Sequence, residues 1–103
     1  MIWEELIARG MKETPILAPV DTALVSGTAT AAIETGVPDR GGWFTYECSV
    51  AFNVLFGGAS VANPSAHYAY GAGSRRVWLT KDQTHFKIKP AANGFLTSGL
   101  SSR

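Results

Sequence analysis

A single cysteine, Cys48, is the whole thiol content of this chain, so no intrachain disulfide can form and a cysteine-rich zinc site has no second thiolate. Charge is scarce as well: 17 % of residues are Asp, Glu, Lys or Arg, against about 25 % in an average soluble domain. With 46 % hydrophobic residues, that scarcity excludes disorder driven by net charge. The surface must then be built from Ala, Gly, Ser, Thr and aromatic groups, a composition suited to chains that bury part of their exterior against neighbours. A long apolar run is missing too. The longest window without a charge, residues 48–74, contains Asn53, Asn63, Pro64, His67 and several glycines, which excludes a transmembrane helix there. Glu4 and Glu5 stand where a signal peptide needs a basic start, so a soluble chain made in the cytoplasm is expected. At 103 residues there is room for one core and no second.

What charge there is lies unevenly. Residues 1–70 hold three cations against seven anions, a net of −4, and residues 71–103 hold six cations against one anion, a net of +5. Such polarity can lay a basic patch on nucleic acid or bring the positive part of one subunit to the negative part of the next. If the two sets intermingle in the fold, they cancel.

Ile2, Trp3, Leu6, Ile7 and Met11 recur at helical spacing, and Glu5 precedes Arg9 by four, which predicts a short amphipathic helix over residues 2–10. A helix this short is marginal in water and needs a surface to lie on. Pro15 and Pro19 bracket Ile16 and Leu17 and disfavour helix in the residues before them, so residues 14–20 read as an extended arm. The chain thus divides into a helix with its arm, residues 1–20, and a β domain, residues 21–103.

In the β domain, residues 22–34 read as a strand bent at Gly27, and residues 36–42 as a loop dense in turn formers. The strongest pattern follows: Phe44, Tyr46, Cys48, Val50, Phe52, Val54 and Phe56 at period two, with Thr45, Glu47, Ser49, Ala51 and Asn53 between them. That alternation predicts a half-buried antiparallel strand. Run straight, it would span about 46 Å at about 3.3 Å per residue, too long for so small a domain, so a bulge or bend is expected inside it. Shorter strands are expected around Tyr68 and Tyr70, over residues 76–80, over residues 85–89 with Phe86 and Ile88 inward, and over residues 95–97. The serine-rich end is expected to fray. Five or six such strands make an all-β fold: a small antiparallel β-sandwich or barrel with one short N-terminal helix and an extended arm.

Signals for chemistry are weak. Gly71-x-Gly73 lacks the third glycine and the following helix of a phosphate loop, and Pro64 occupies the excluded position of a glycosylation acceptor at Asn63-Pro64-Ser65. His67 and His85 have no acidic partner at ligand spacing, Cys48 shares the apolar face of Val50 and Phe52, and the eight carboxylates form no spaced pair. No enzymatic activity, cofactor or metal is expected. Arg75, Arg76, Trp78, Lys87 and Lys89, with Tyr68, Tyr70 and Phe86 nearby, do have the mixture of cations and rings used by single-strand-binding barrels. Against that, Phe86 alternates with Lys87 and Lys89 and points to the other side.

The stretch from Val50 to Gly58, Val-Ala-Phe-Asn-Val-Leu-Phe-Gly-Gly, is followed by Ala59-Ser60 and later, past a glycine-rich turn, by Phe86-Lys87-Ile88. Over about half the chain this resembles small β-sandwich virion proteins of tailed bacteriophages. The resemblance implies a structural role in the virion, as a capsid decoration or cement protein or a head-tail component, with no catalytic or cofactor residues to carry over. The expected partners are further copies of the chain and a larger virion protein such as the major capsid protein; no membrane is expected, and nucleic acid is the less favoured partner. A nucleic-acid-binding small β-barrel is the alternative. Candidate assembly contacts are Trp3, Leu6, Ile7, Ile16 and Leu17 in the helix and arm, and Arg75 and Arg76 in the basic part. Glu4, Glu5, Glu13 and Asp21 of an adjacent copy would meet those arginines.

Overall fold

The computed structural model describes Ile16 and residues 18–101. The helix expected over residues 2–10, and Leu17 of the arm, lie outside the described residues. Seven strands follow in order: β1 Val20–Leu24, β2 Ile33–Glu34, β3 Gly42–Cys48, β4 Phe52–Gly57, β5 Gly73–Leu79, β6 His85–Pro90 and β7 Gly94–Leu100. They form two antiparallel sheets, one ordered β1-β7-β3-β5 and the other β2-β6-β4, so the architecture is all-β.

The two sheets are largely the same three strands, folded over. β3 pairs with β7 and β4 with β6, so residues 42–57 run alongside residues 85–100 through both sheets. The bend expected in the long alternating strand falls at residues 49–51, between β3 and β4. Cys48 faces Leu96 and Phe52 faces Pro90, so four steps on one strand meet six on its partner, and the surplus on the partner is absorbed at residues 91–93. The Ser49 N–H donates to the Phe95 carbonyl at 3.0 Å, and the Ala91 N–H donates to the Ala51 carbonyl at 2.8 Å, closing the corner from both sides.

The strand expected over residues 22–34 is bent in the same way, but it is divided between sheets. β1 pairs with β7 and the two-residue β2 with β6. Between them Gly27, at φ 68°, turns the chain, and the N–H groups of Gly27 and Thr30 donate to the carbonyls of Pro90 and Ile88 at 2.8 Å. The segment thus tracks its neighbour around the corner. β5 is the one strand added outside this folded triplet; it pairs along its full length with β3.

The alternating residues meet in the middle. Phe44, Tyr46, Cys48 and Phe52 are buried together with Leu24, Leu79, Phe86, Ile88 and Leu96, and Val50, Val54 and Phe56 pack against them. The rings form one edge-on and stacked cluster: Phe44 to Phe86 at 5.2 Å, Phe56 to Phe86 at 5.5 Å and Tyr46 to Phe52 at 5.7 Å between centroids. Such pairs add about 0.5–1.5 kcal/mol each beyond their burial.

Some local expectations give way to tertiary contacts. Tyr70 makes a single bridge to Phe52 where a short strand was expected. Ser98 and Ser101 are buried, and Ser101 pairs with Ile16, so the serine-rich end is held through residue 101. Ser49, on the solvent side of the pattern, accepts the Phe95 N–H through its hydroxyl at 2.8 Å, so it fastens the corner.

Phe52→Ala is expected to lower unfolding free energy by about 3–5 kcal/mol, because the ring is wholly enclosed. Leu55→Ala, on the opposite face of the same strand and 41 % exposed, should change it by less than about 1 kcal/mol. Denaturant titration of the two variants checks this. Gly94→Ala should also destabilise, by about 1–3 kcal/mol, since its methyl would meet the Ser49 hydroxyl and lie 2.9 Å from a Val50 methyl. A Gly94→Ala chain as stable as the parent would show that the corner is not tightly packed.

Candidate functional site

In a strand, neighbours point to opposite faces, and this separates the basic residues. Arg75 and Arg76 are adjacent on β5 and diverge. Arg75 turns to the core side, where its Nε donates to the Tyr46 hydroxyl at 3.0 Å and its guanidinium lies 3.9 Å over the Tyr70 ring. Arg76 turns to the outer side and lies 4.1 Å over the Trp43 ring. Lys87 and Lys89 sit on the outer face of the other sheet, alternating with buried Phe86 and Ile88 as expected, and the Lys87 ammonium donates to the Asn63 side-chain carbonyl at 3.0 Å. The four cations therefore share no single surface.

The outer face of the four-stranded sheet has three zones, set by register. At one end Trp43 of β3 faces Trp78 of β5, with ring centroids 5.3 Å apart and planes at 82°. Both indoles are partly exposed, Trp43 at 37 % and Trp78 at 51 %. Gly41, at φ 83°, underlies this pair: a methyl there would lie 2.8 Å from the Leu79 carbonyl and 3.1 Å from the Trp78 ring. Beside the indoles, the Thr45 and Ser101 hydroxyls are hydrogen-bonded to each other and buried. The middle zone is polar, with Glu47 facing Thr97 across the strands and the Thr97 hydroxyl donating to Asp21 at 2.8 Å. At the far end, by the corner, Phe95 stands 72 % exposed next to Ala23, with Val25 also exposed just beyond β1.

Of the residues singled out from sequence, Ile16 is half-buried and bridges Ser101 of its own chain, and Trp3, Leu6, Ile7 and Leu17 lie outside the described residues. Arg75 and Arg76 are placed as above. Sequence reasoning missed the Trp43–Trp78 pair and the exposure of Phe95. Trp43 and Trp78 are brought together by the β3–β5 register, which no local spacing signals. On the other flank a groove of about 300 Å³ opens between the sheets, lined by Val20, Glu34, Thr35, Ser98 and Leu100 among others. Among the described residues no three His, Cys, Asp or Glu side chains gather to hold a metal ion, and every buried side-chain nitrogen or oxygen has a hydrogen-bond partner. Compared with known proteins, the chain matches no family model, no curated protein and no solved structure.

Two buried groups make folding sensitive to alkali. Burial raises the Tyr46 phenol above its ordinary 10.0, against the lowering effect of the Arg75 hydrogen bond and charge. Burial likewise raises the Cys48 thiol above its ordinary 9.0, offset in part by a backbone hydrogen bond at Val50. The folded state thus holds both protons more tightly than the unfolded state. Their contribution is fully present below the ordinary values and is lost as pH rises through the raised ones. Thermal unfolding should show a melting temperature that declines above about pH 9. In Tyr46→Phe the decline should be shallower, while stability near neutrality falls by about 1 kcal/mol because Arg75 loses its acceptor. An identical alkaline slope in both chains would contradict this.

Proposed function

We propose that the chain is a structural assembly subunit: a virion component of a tailed phage that decorates or cements the capsid, or joins head to tail, through subunit–subunit contacts. The observation that carries the reading is the contrast between the two outer faces. One sheet presents the Trp43–Trp78 pair with Arg76 at one end and Phe95 at the other, residue types enriched at interfaces, on either side of a polar middle. The other presents Lys87, Lys89, His85 and Asn53 around one exposed leucine, Leu55, and is the more polar of the two. The virion setting is supported by the resemblance of residues 50–58 to small β-sandwich virion proteins. The expected meeting of acidic arm and arginines is supported less well at Asp21, which is engaged by Thr97.

A nucleic-acid groove has one observation in its favour, the stacking of Arg76 on Trp43. It is weakened by the placement of Lys87 and Lys89 on the opposite sheet and by the guanidinium already covering one face of that ring.

Light scattering on the purified full chain tests the assembly reading. We expect a mass above the 11.0 kDa monomer, little changed by salt and shifted toward monomer by Phe95→Ser. A chain that stays at 11.0 kDa at every concentration would overturn self-assembly. Micromolar binding to random single-stranded DNA, lost when Arg75 and Arg76 are both replaced by Ala, would install the nucleic-acid reading instead.

A further inference from the structure

We propose that β5 of one subunit pairs with β1 of the next, so that the four-stranded sheet continues from copy to copy with Arg76 opposite Asp21 at each junction. The proposal rests on the assembly reading and names one contact of that assembly. Trp43, Trp78 and Phe95 keep their outer face, since the new contact runs along the edges of the sheet and not over it.

A strand paired on one side only offers a row of backbone N–H and C=O groups to another chain. Among the described residues, the seven-residue β5 pairs only with β3, and the five-residue β1 only with β7. The edges of the other sheet are blunted: β2 is two residues long, and β4 is met by Tyr70 at Phe52 and by Ser65 at Asn53. Proline and lysine, which commonly guard an edge, occur in neither β1 nor β5. The two arginines of β5 are turned onto the rings of Tyr70 and Trp43.

Topology supplies the direction. In the order β1-β7-β3-β5 every neighbouring pair is antiparallel, so β1 and β5 run opposite ways. A copy set beside the first in the same orientation therefore presents its β1 antiparallel to β5, with the outer faces aligned. Alternate residues of an antiparallel strand turn their backbone groups to opposite sides. The Ser101 N–H donates to the Trp43 carbonyl, so Trp43, Thr45 and Glu47 turn theirs toward β7, and Phe44, Tyr46 and Cys48 toward β5. Carried through the register, Ser74, Arg76 and Trp78 direct theirs outward from β5, and Asp21 and Ala23 outward from β1. These residues also carry the outer-face side chains. Backbone bonding and side-chain facing thus agree that Asp21 stands opposite Ser74, Arg76 or Trp78.

Charge selects among the three. β5 holds Arg75 and Arg76 and no acid, while β1 holds Asp21 and no base. Opposite charges across a strand pair stabilise it and like charges weaken it, so β5 against β5, or β1 against β1, is disfavoured. The Thr97 hydroxyl bonds Asp21 Oδ1 and holds the carboxylate on the outer side. Arg76 stacks on Trp43 by the flat of its guanidinium, whose N–H groups lie around the rim. Because each junction uses two different edges, the contact repeats and is not limited to two chains.

Amide hydrogen exchange on the full chain, dilute and assembled, tests this without a substitution. The outward amides of Asp21, Ala23, Ser74, Arg76 and Trp78 should slow by about tenfold or more on assembly, in particles of more than two chains by light scattering. Arg76→Glu and Asp21→Lys should each raise the concentration needed for assembly by about tenfold or more. An equal mixture of the two should recover it, since each variant supplies the charge its partner has lost. Assembly in which these amides keep their dilute rates would overturn the proposal and leave the assembly reading standing. Protection confined to β5, in particles of two chains, would overturn it in favour of a β5–β5 pair. A chain that stays monomeric at every concentration would remove the assembly reading as well.

Discussion

The shared corner governs this molecule. A period-two strand long enough to bury seven apolar residues cannot stay straight in a domain of this size, so it folds over, and its antiparallel neighbours must fold with it. The surplus at residues 91–93, the Ser49 hydroxyl on the Phe95 N–H and the absence of a side chain at Gly94 are what allow that fold to close. Once it closes, Phe44 and Tyr46 on one side meet Phe52, Phe56 and Phe86 on the other, and a single pattern of alternation supplies both halves of the core.

Because the strands are shared, the outer faces are fixed by the same alternation. Each residue that points away from the core before the corner lies on one sheet, and each one after it on the other. Trp43 and Phe95 thereby come to the face of the four-stranded sheet, while Leu55, Lys87 and Lys89 come to the face of the three-stranded one. β5 then adds Arg76 and Trp78 to the first face and places Arg75 against Tyr46 and Tyr70 on the core side. The uneven charge along the chain does not become one basic surface, since β5 and β6 belong to different sheets.

The core was legible from residues alone because its signal is local: Phe44 to Phe56 and Phe86 to Ile88 declare their inward faces at period two. The need for a bend was legible from length. Its position was not, since it depends on where the partner strand carries extra residues, and those are more than forty positions away. The division of residues 22–34 between two sheets escaped for the same reason: the segment follows β6 and β7 rather than any preference of its own. The surface was least legible. Trp43 and Trp78 meet through a register set across β4 and the long loop after it, and Thr45 is buried against a hydroxyl partner at position 101.

The central functional claim is that the face bearing Phe95 is the one this protein uses against other subunits. Hydroxyl-radical footprinting of the dilute and the assembled full chain tests it directly, since Phe95, Leu55 and Tyr68 are all open to oxidation in the single subunit. Assembly should protect Phe95 and Val25 strongly and leave Leu55 and Tyr68 unchanged. Protection of Leu55 with Phe95 still fully reactive would place the contact on the opposite sheet and contradict the claim.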